Sequence, residues 1–198
     1  MMDANRGGWK KHGGKVINIS LVTLLFILIF VPDAKSWMMR QLIRTGIFNA
    51  RVDKPDVNTN KHISELGLTF RDSAGREFSA SSIKGKIVFI NFWATWCPPC
   101  RAEMPSLDKL YKEFQNDRDF VFLFVSEDEE PAQAIEYMRV HKYNLPTYSA
   151  SGVAQGNFYS GTLPTTLLFD KSGKLVHKQE GMANYNTRKF IASMRALQ

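Results

Sequence analysis

The sequence predicts an α/β domain in residues 63–198, a central mixed β-sheet flanked by helices and preceded by an added β-hairpin. Two continuous apolar runs, Lys86–Trp93 (KIVFINFW) and Phe120–Val125 (FVFLFV), read as strands buried on both faces. Stretches of helical periodicity follow each of them, and turn-rich hairpins bracket the set. A compact domain takes about 100–150 residues, so a chain of 198 holds one such domain and a long leader, and two large domains are excluded.

The leader divides into a basic tail (1–15), an apolar run (16–31) and a polar, partly amphipathic connection (32–62). VINISLVTLLFILIFV carries no polar face, follows Arg6, Lys10, Lys11 and Lys15, and stops at Pro32-Asp33. As a helix it reaches about 24 Å, short of a ~30 Å hydrocarbon core but longer than most signal-peptide cores. It is expected to be a transmembrane signal-anchor; cleavage before Trp37, after the small residues Ala34 and Ser36, is the alternative. Lys35, Arg40, Arg44 and Arg51 beyond the run match the four basic residues before it, so charge alone does not orient the span. Trp37, Met39, Leu42, Ile43 and Ile47 then recur at helical spacing and suit a helix lying on a membrane. The polar stretch 49–62 reads as a flexible connection.

Within the domain, Leu66–Phe70 and Arg76–Phe78 flank the turn Asp72-Ser73-Ala74-Gly75 and form the leading hairpin. After the Lys86–Trp93 strand a helix is expected from Pro98, with an apolar face through Met104, Leu107, Leu110, Tyr111 and Phe114 and a kink at Pro105. The acid run 127–130 reads as the solvated start of a helix that continues from Pro131 through His141. Leu163–Asp170 and Lys174–Gln179 form a second hairpin, and Tyr185–Leu197 a closing helix. The order is ββ, βαβα, ββα.

Charge is distributed unevenly. Residues 1–62 hold ten Lys/Arg against four Asp/Glu, and residues 63–198 sixteen against fifteen. Six of the seven net positive charges therefore lie in the leader around the apolar run, which fits anionic lipid head groups, and a nucleic-acid partner is not expected. No glycine-rich phosphate loop is present, so no nucleotide cofactor is expected either.

The chemistry centres on Cys97-Pro98-Pro99-Cys100, which contains both cysteines of the chain. Placed after a buried strand and at a helix start, they can close a small disulfide, and the helix dipole would stabilise a Cys97 thiolate. Cys97 is the expected attacking thiol and Cys100 the resolving one; no cofactor beyond this pair is implied. Pro98 and Pro99 lack amide hydrogens, so few donors can reach the Cys97 sulfur, which tilts the pair toward reduction of substrates. Half of a zinc site and an inert disulfide are the alternatives. No second CxxC exists, however, and His12, His62, His141 and His177 lack ligand spacing. Glu103 lies one helical turn beyond Cys100, where its carboxylate can accept the Cys100 proton, unless it is a surface glutamate paired with a neighbouring cation.

Three segments carry a resemblance: FINFWATWCPPC ending at Cys100, the following Arg101-Ala102-Glu103-Met104-Pro105, and Thr162-Leu163-Pro164-Thr165-Thr166. Over about Leu66–Leu197 the chain resembles the thioredoxin fold, and within it the membrane-tethered TlpA/ResA-like thiol-disulfide oxidoreductases of the bacterial envelope. The resemblance implies a cis-proline at Pro164 against the cysteines and a Leu163 that offers backbone groups to an incoming peptide. It implies a substrate surface of Trp96, Pro98, Leu163 and Pro164. Where ordinary thioredoxins have a buried aspartate this chain has Asn91, which cannot take a proton, and in the resembled proteins the glutamate matching Glu103 takes that part.

The expectation is a bacterial inner-membrane enzyme with its domain on the extracytoplasmic side, reducing disulfides of envelope proteins with electrons from a membrane thiol donor. By resemblance, apocytochrome c thiols or copper-site cysteines are candidate substrates. A disulfide-forming oxidase and a copper or haem chaperone would use the same pair. The PxxxTxxC arrangement of peroxide-reducing relatives is absent.

Overall fold

Strand β3 (Ile87–Trp93) organises the molecule, because all seven of its side chains are buried. In the computed structural model, which describes residues 8–50, 61–152 and 158–198, β3 pairs in parallel with β4 (Phe120–Ser126) and antiparallel with β6 (Thr165–Phe169). Strands β1 (Thr69–Asp72), β2 (Glu77–Ser79), β5 (Thr147–Ser151) and β7 (Leu175–Glu180) complete a seven-stranded sheet of order β2-β1-β5-β4-β3-β6-β7.

Side-chain alternation divides β3 between two apolar layers. Ile87, Phe89 and Trp93 join a cluster with helix α3 (Pro98–Phe114), helix α4 (Pro131–His141) and helix α5 (Arg188–Arg195). Val88, Ile90 and Phe92 join Leu66, Phe70 and Phe158 on the other face. Strand β4 alternates likewise, Phe120, Phe122 and Phe124 toward the helices and Leu123 and Val125 away from them. Phe89 lies 5.3 Å from Phe122 and 5.6 Å from Tyr185, ring centre to ring centre.

The expected mixed sheet, its leading hairpin and its flanking helices are present, with three differences. Strand β5 was not expected: Thr147–Ser151 is half-exposed, and it is held by four backbone pairs to β1 and two to β4, with Tyr148 and Ala150 packed on the apolar layer away from the helices. Helix α5 starts at Arg188 instead of Tyr185, because Thr187 caps it by accepting the Phe190 amide while Tyr185 turns into the core. The acid run is not a uniformly solvated helix start. Asp128 is buried and bonded, and α4 begins after Glu130 with no side-chain cap. Pro105 lies inside α3, which runs on through it.

The leader contains helix α1 (Gly8–Phe30) and helix α2 (Pro32–Arg44). Apolar side chains from Val16 to Ile27 and at Phe30 are exposed. Among the described residues no single helix is long and apolar enough to cross a membrane; Lys15–Ile27 and Pro32–Arg44 meet length and composition only together, bent by 91°. Helix α2 does not stand apart. It packs along α3 with Ser36 and Ile43 buried, and Asp33 pairs with Arg101. The ends of the expected flexible connection are also docked: Asn49 bridges Asn184, Ala50 is buried, and His62 bridges Lys174. Its middle, 51–60, and residues 1–7 of the basic tail lie outside the described residues.

Phe89 packs its ring against Phe122 and Phe124 of β4 and against Tyr185, so Phe89→Ala should lower the unfolding free energy by about 3–5 kcal/mol. Urea denaturation of the two proteins measures this, and a loss below about 1 kcal/mol would contradict the packing described.

Candidate active site

The two cysteines sit where β3 gives way to α3. Cys97 is the N-cap residue of α3, Pro98 and Pro99 occupy its first two positions, and Cys97 and Cys100 are joined by a disulfide with Cα atoms 5.3 Å apart. Proline is suited to this place because the first helical amides have no intrahelical acceptor. The consequence for sulfur is direct: the Cys100 amide, 3.3 Å away, donates to Cys97 Sγ, and neither proline has a hydrogen to add. Cys97 keeps 4% exposure and Cys100 none, so solvent and a partner reach the pair at Cys97.

The residues expected to form a substrate surface lie around this opening in different ways. Trp96 is 62% exposed, an unusually bare indole directly before the reactive pair. Pro98 is half-buried. The Leu163–Pro164 peptide is cis, Pro164 is buried, and Leu163 packs against the cluster that contains both cysteines. Trp93, by contrast, is fully buried and packs on Tyr137, with ring centres 5.5 Å apart.

Beneath the disulfide is a buried polar group of four side chains. The register pairs Asn91 of β3 with Thr166 of β6, and both project toward α3. Asn91 Nδ2 donates to Glu103 Oε1 and to Thr166 Oγ1, both at 2.9 Å. The Ala183 amide donates to Glu103 Oε2 at 3.1 Å, and Tyr185 Oη donates to Thr166 Oγ1 at 2.8 Å. Glu103 is fully buried, so the reading of it as a surface glutamate paired with a cation is excluded. Its carboxyl receives neutral donors but no countercharge. Burial outweighs the hydrogen bonds from Asn91 and Ala183 and pushes its pKa from the ordinary 4.5 up to about 8. The Tyr185 hydroxyl is pushed up too, first by burial and then by the Glu103 charge.

A further positioning residue is Asp128. Its Oδ1 accepts the Thr95 amide at 3.0 Å and the Thr95 hydroxyl at 2.7 Å, while Ser126 Oγ donates to Oδ2 at 2.7 Å. Asp128 thereby fixes the loop that delivers Cys97 to the helix end. Sequence inspection grouped it with three neighbouring acids; the Ser126-x-Asp128 spacing, which lets a side chain bond its own backbone two residues on, was the available signal. Among the described residues no three His, Cys, Asp or Glu side chains cluster as a metal-ligand set.

Comparison with known proteins agrees with this geometry. The AhpC/TSA family profile matches residues 59–178. A thiol-disulfide oxidoreductase ResA from Bacillus cereus is 32% identical over 159 residues, covering 80% of this chain and 86% of that protein. The thioredoxin-like protein YneN of Bacillus subtilis is 33% identical over 121 residues, covering 61% and 71%. Among solved structures, a thiol:disulfide interchange protein of the thioredoxin family from Chlorobium tepidum superposes with a TM-score of 0.54 at 26% identity, covering 70% of this chain and 98% of that one.

The elevated Glu103 pKa has a thermodynamic consequence. Between the ordinary value of 4.5 and about 8 the folded protein holds a proton there that the unfolded chain has released, so stability falls as pH rises through that window. Urea denaturation of the oxidised protein from pH 5 to 8 should show Glu103→Gln losing less stability than the parent, by on the order of a few kcal/mol. Parallel profiles would mean that the carboxyl ionises as if exposed.

Proposed function

The chain belongs to the AhpC/TSA family and is a thiol-disulfide oxidoreductase, and from that premise we propose that it reduces disulfides of bacterial envelope proteins. We place its domain on the extracytoplasmic side of the inner membrane, anchored through α1 and recharged by a membrane thiol donor. The carrying observation is the disulfide at the start of α3, more exposed at Cys97, with a single amide donor on that sulfur. A strong oxidant owes its potential to a well-stabilised thiolate in the reduced form. Here the two prolines withhold donors, so the reduced form is less favoured and the pair gives electrons more readily.

The reaction follows from these positions. The Cys97 thiolate attacks one sulfur of the substrate disulfide; that bond breaks, its other sulfur leaves as a thiolate, and a mixed disulfide forms. Cys100 transfers its proton to the Glu103 carboxylate through intervening water, and the resulting thiolate attacks Cys97 Sγ. The second substrate sulfur leaves, and both then take protons from solvent. Two electrons have passed to the substrate, and the enzyme holds the Cys97–Cys100 bond and a neutral Glu103. A carboxyl at about 8 is close to an ordinary thiol, near 8.5, so this transfer is nearly balanced in energy. Two-electron reduction by the donor reverses it.

The anchor reading rests on the exposed apolar side chains of α1 from Val16 to Ile27 and at Phe30. The Ala34-Lys35-Ser36 site lies within α2, where Ser36 is buried and its hydroxyl donates to the Pro32 carbonyl at 2.9 Å. That favours an uncleaved chain. An oxidising compartment closes cysteine pairs that later steps need open, and oxidised apocytochrome c or copper-site cysteines are the substrates proposed.

Cys100→Ser should leave Cys97 able to attack but unable to be resolved, so the variant accumulates mixed disulfides. These are visible on non-reducing gels and identifiable after release with a reductant. The reduction potential of the Cys97–Cys100 pair should fall below about −200 mV, near thioredoxin rather than near the ~−120 mV of a disulfide-forming oxidase. A potential above about −150 mV would assign the oxidase role instead.

A further inference from the structure

Helix α2 and helix α3 enclose a cavity of about 450 Å³ whose lining includes Arg40 and Arg44 from α2, Lys109 from α3, and the amides of Asn184 and Asn186, with Trp37 at its edge. Among the described residues no acidic side chain lines it. Arg40 Nε is buried without a hydrogen-bond partner among the described residues, an unmet donor of a charged group. Three cations and two amides around one cavity form a site for a phosphate ester anion.

Its position says where that anion comes from. Helix α2 begins two residues after α1 ends, and the two axes are bent by 91°. With α1 along the membrane normal, α2 lies parallel to the surface. Its inner side, through Ser36 and Ile43, is covered within the fold, while Trp37, Met38 and Leu42 are exposed on the other side, Trp37 at 61%. An exposed indole with neighbouring aliphatic side chains, beside a cluster of cations, is the pattern of a surface seated among head groups. We propose that the α2–α3 cavity binds the head-group phosphate of an anionic membrane lipid. The site rests on the anchor reading, and it docks the domain on the bilayer through α2 in addition to the tether.

The test uses the full chain in phosphatidylcholine bilayer discs with and without phosphatidylglycerol, read by thermal unfolding of the domain. Phosphatidylglycerol should raise Tm by roughly 5 °C, as expected for a ligand well above its dissociation constant. Arg40→Gln/Arg44→Gln/Lys109→Gln should abolish the rise while keeping its Tm in phosphatidylcholine. The single exposed change Lys109→Glu should reduce it, and that variant carries the test if the triple variant folds poorly. Arg188→Gln/Lys189→Gln, which removes charge elsewhere, should retain the full rise. No rise with phosphatidylglycerol, or an equal loss in the Arg188/Lys189 variant, overturns the site. An equal rise from inorganic phosphate in phosphatidylcholine discs overturns the lipid assignment in favour of a soluble phosphate. Failure of the chain to float with phosphatidylcholine vesicles would overturn the anchor reading itself, which separates the two outcomes.

Discussion

The interaction on which the site depends is the burial of one carboxyl group without a countercharge. An ionised carboxylate away from water costs several kcal/mol unless it is paired, and among the described residues Glu103 accepts hydrogen bonds from the Asn91 amide and the Ala183 backbone and meets no cation. With the disulfide closed, the protein resolves this by favouring the neutral acid. That choice requires much of the surrounding architecture: the β3–β6 register that sets Asn91 beside Thr166, the loop that brings the Ala183 amide inward, and Tyr185 closing the group from the far side. A cation at any of these places would return the carboxyl to its ordinary range and take away its match to a thiol.

Asn91 has a specific part in that arrangement. An aspartate at the same point would set two acids within hydrogen-bonding distance, and one would be forced to hold a proton permanently. The amide supplies a donor and no charge, so a single titrating group remains beneath the disulfide. Its own Oδ1 is buried without a partner among the described residues, which leaves an acceptor free on the same amide that contacts Glu103.

Much of this was legible in the sequence, for identifiable reasons. Strands β3 and β4 are visible because both faces are buried and almost every residue is apolar, and the reactive pair because its prolines and its place after a strand are local features. Glu103 was legible as a helical neighbour of Cys100. Its loss of solvent was not, because the groups that cover it come from residues 91, 166, 183 and 185. Strand β5 is short and mostly polar, with only Tyr148 and Ala150 marking its packed face, so its pairing with β1 and β4 was not readable locally. Asp128 was hidden in an acid run, where composition suggested solvent and a contact across 33 residues decided otherwise. The docking of α2 on α3 is likewise a long-range fact, beyond what periodicity in 37–47 reveals.

The pairing of Asp33 with Arg101 joins the first turn of α2 to the residue directly after Cys100. On the anchor reading proposed above, the catalytic end would not be a ball on a string: two packed helices and an ion pair would set its heading relative to the bilayer. For the membrane thiol donor proposed above, encounter would then be a search over a plane at nearly constant attitude. Much of the rotational freedom that association in bulk water must forfeit has already been given up in folding.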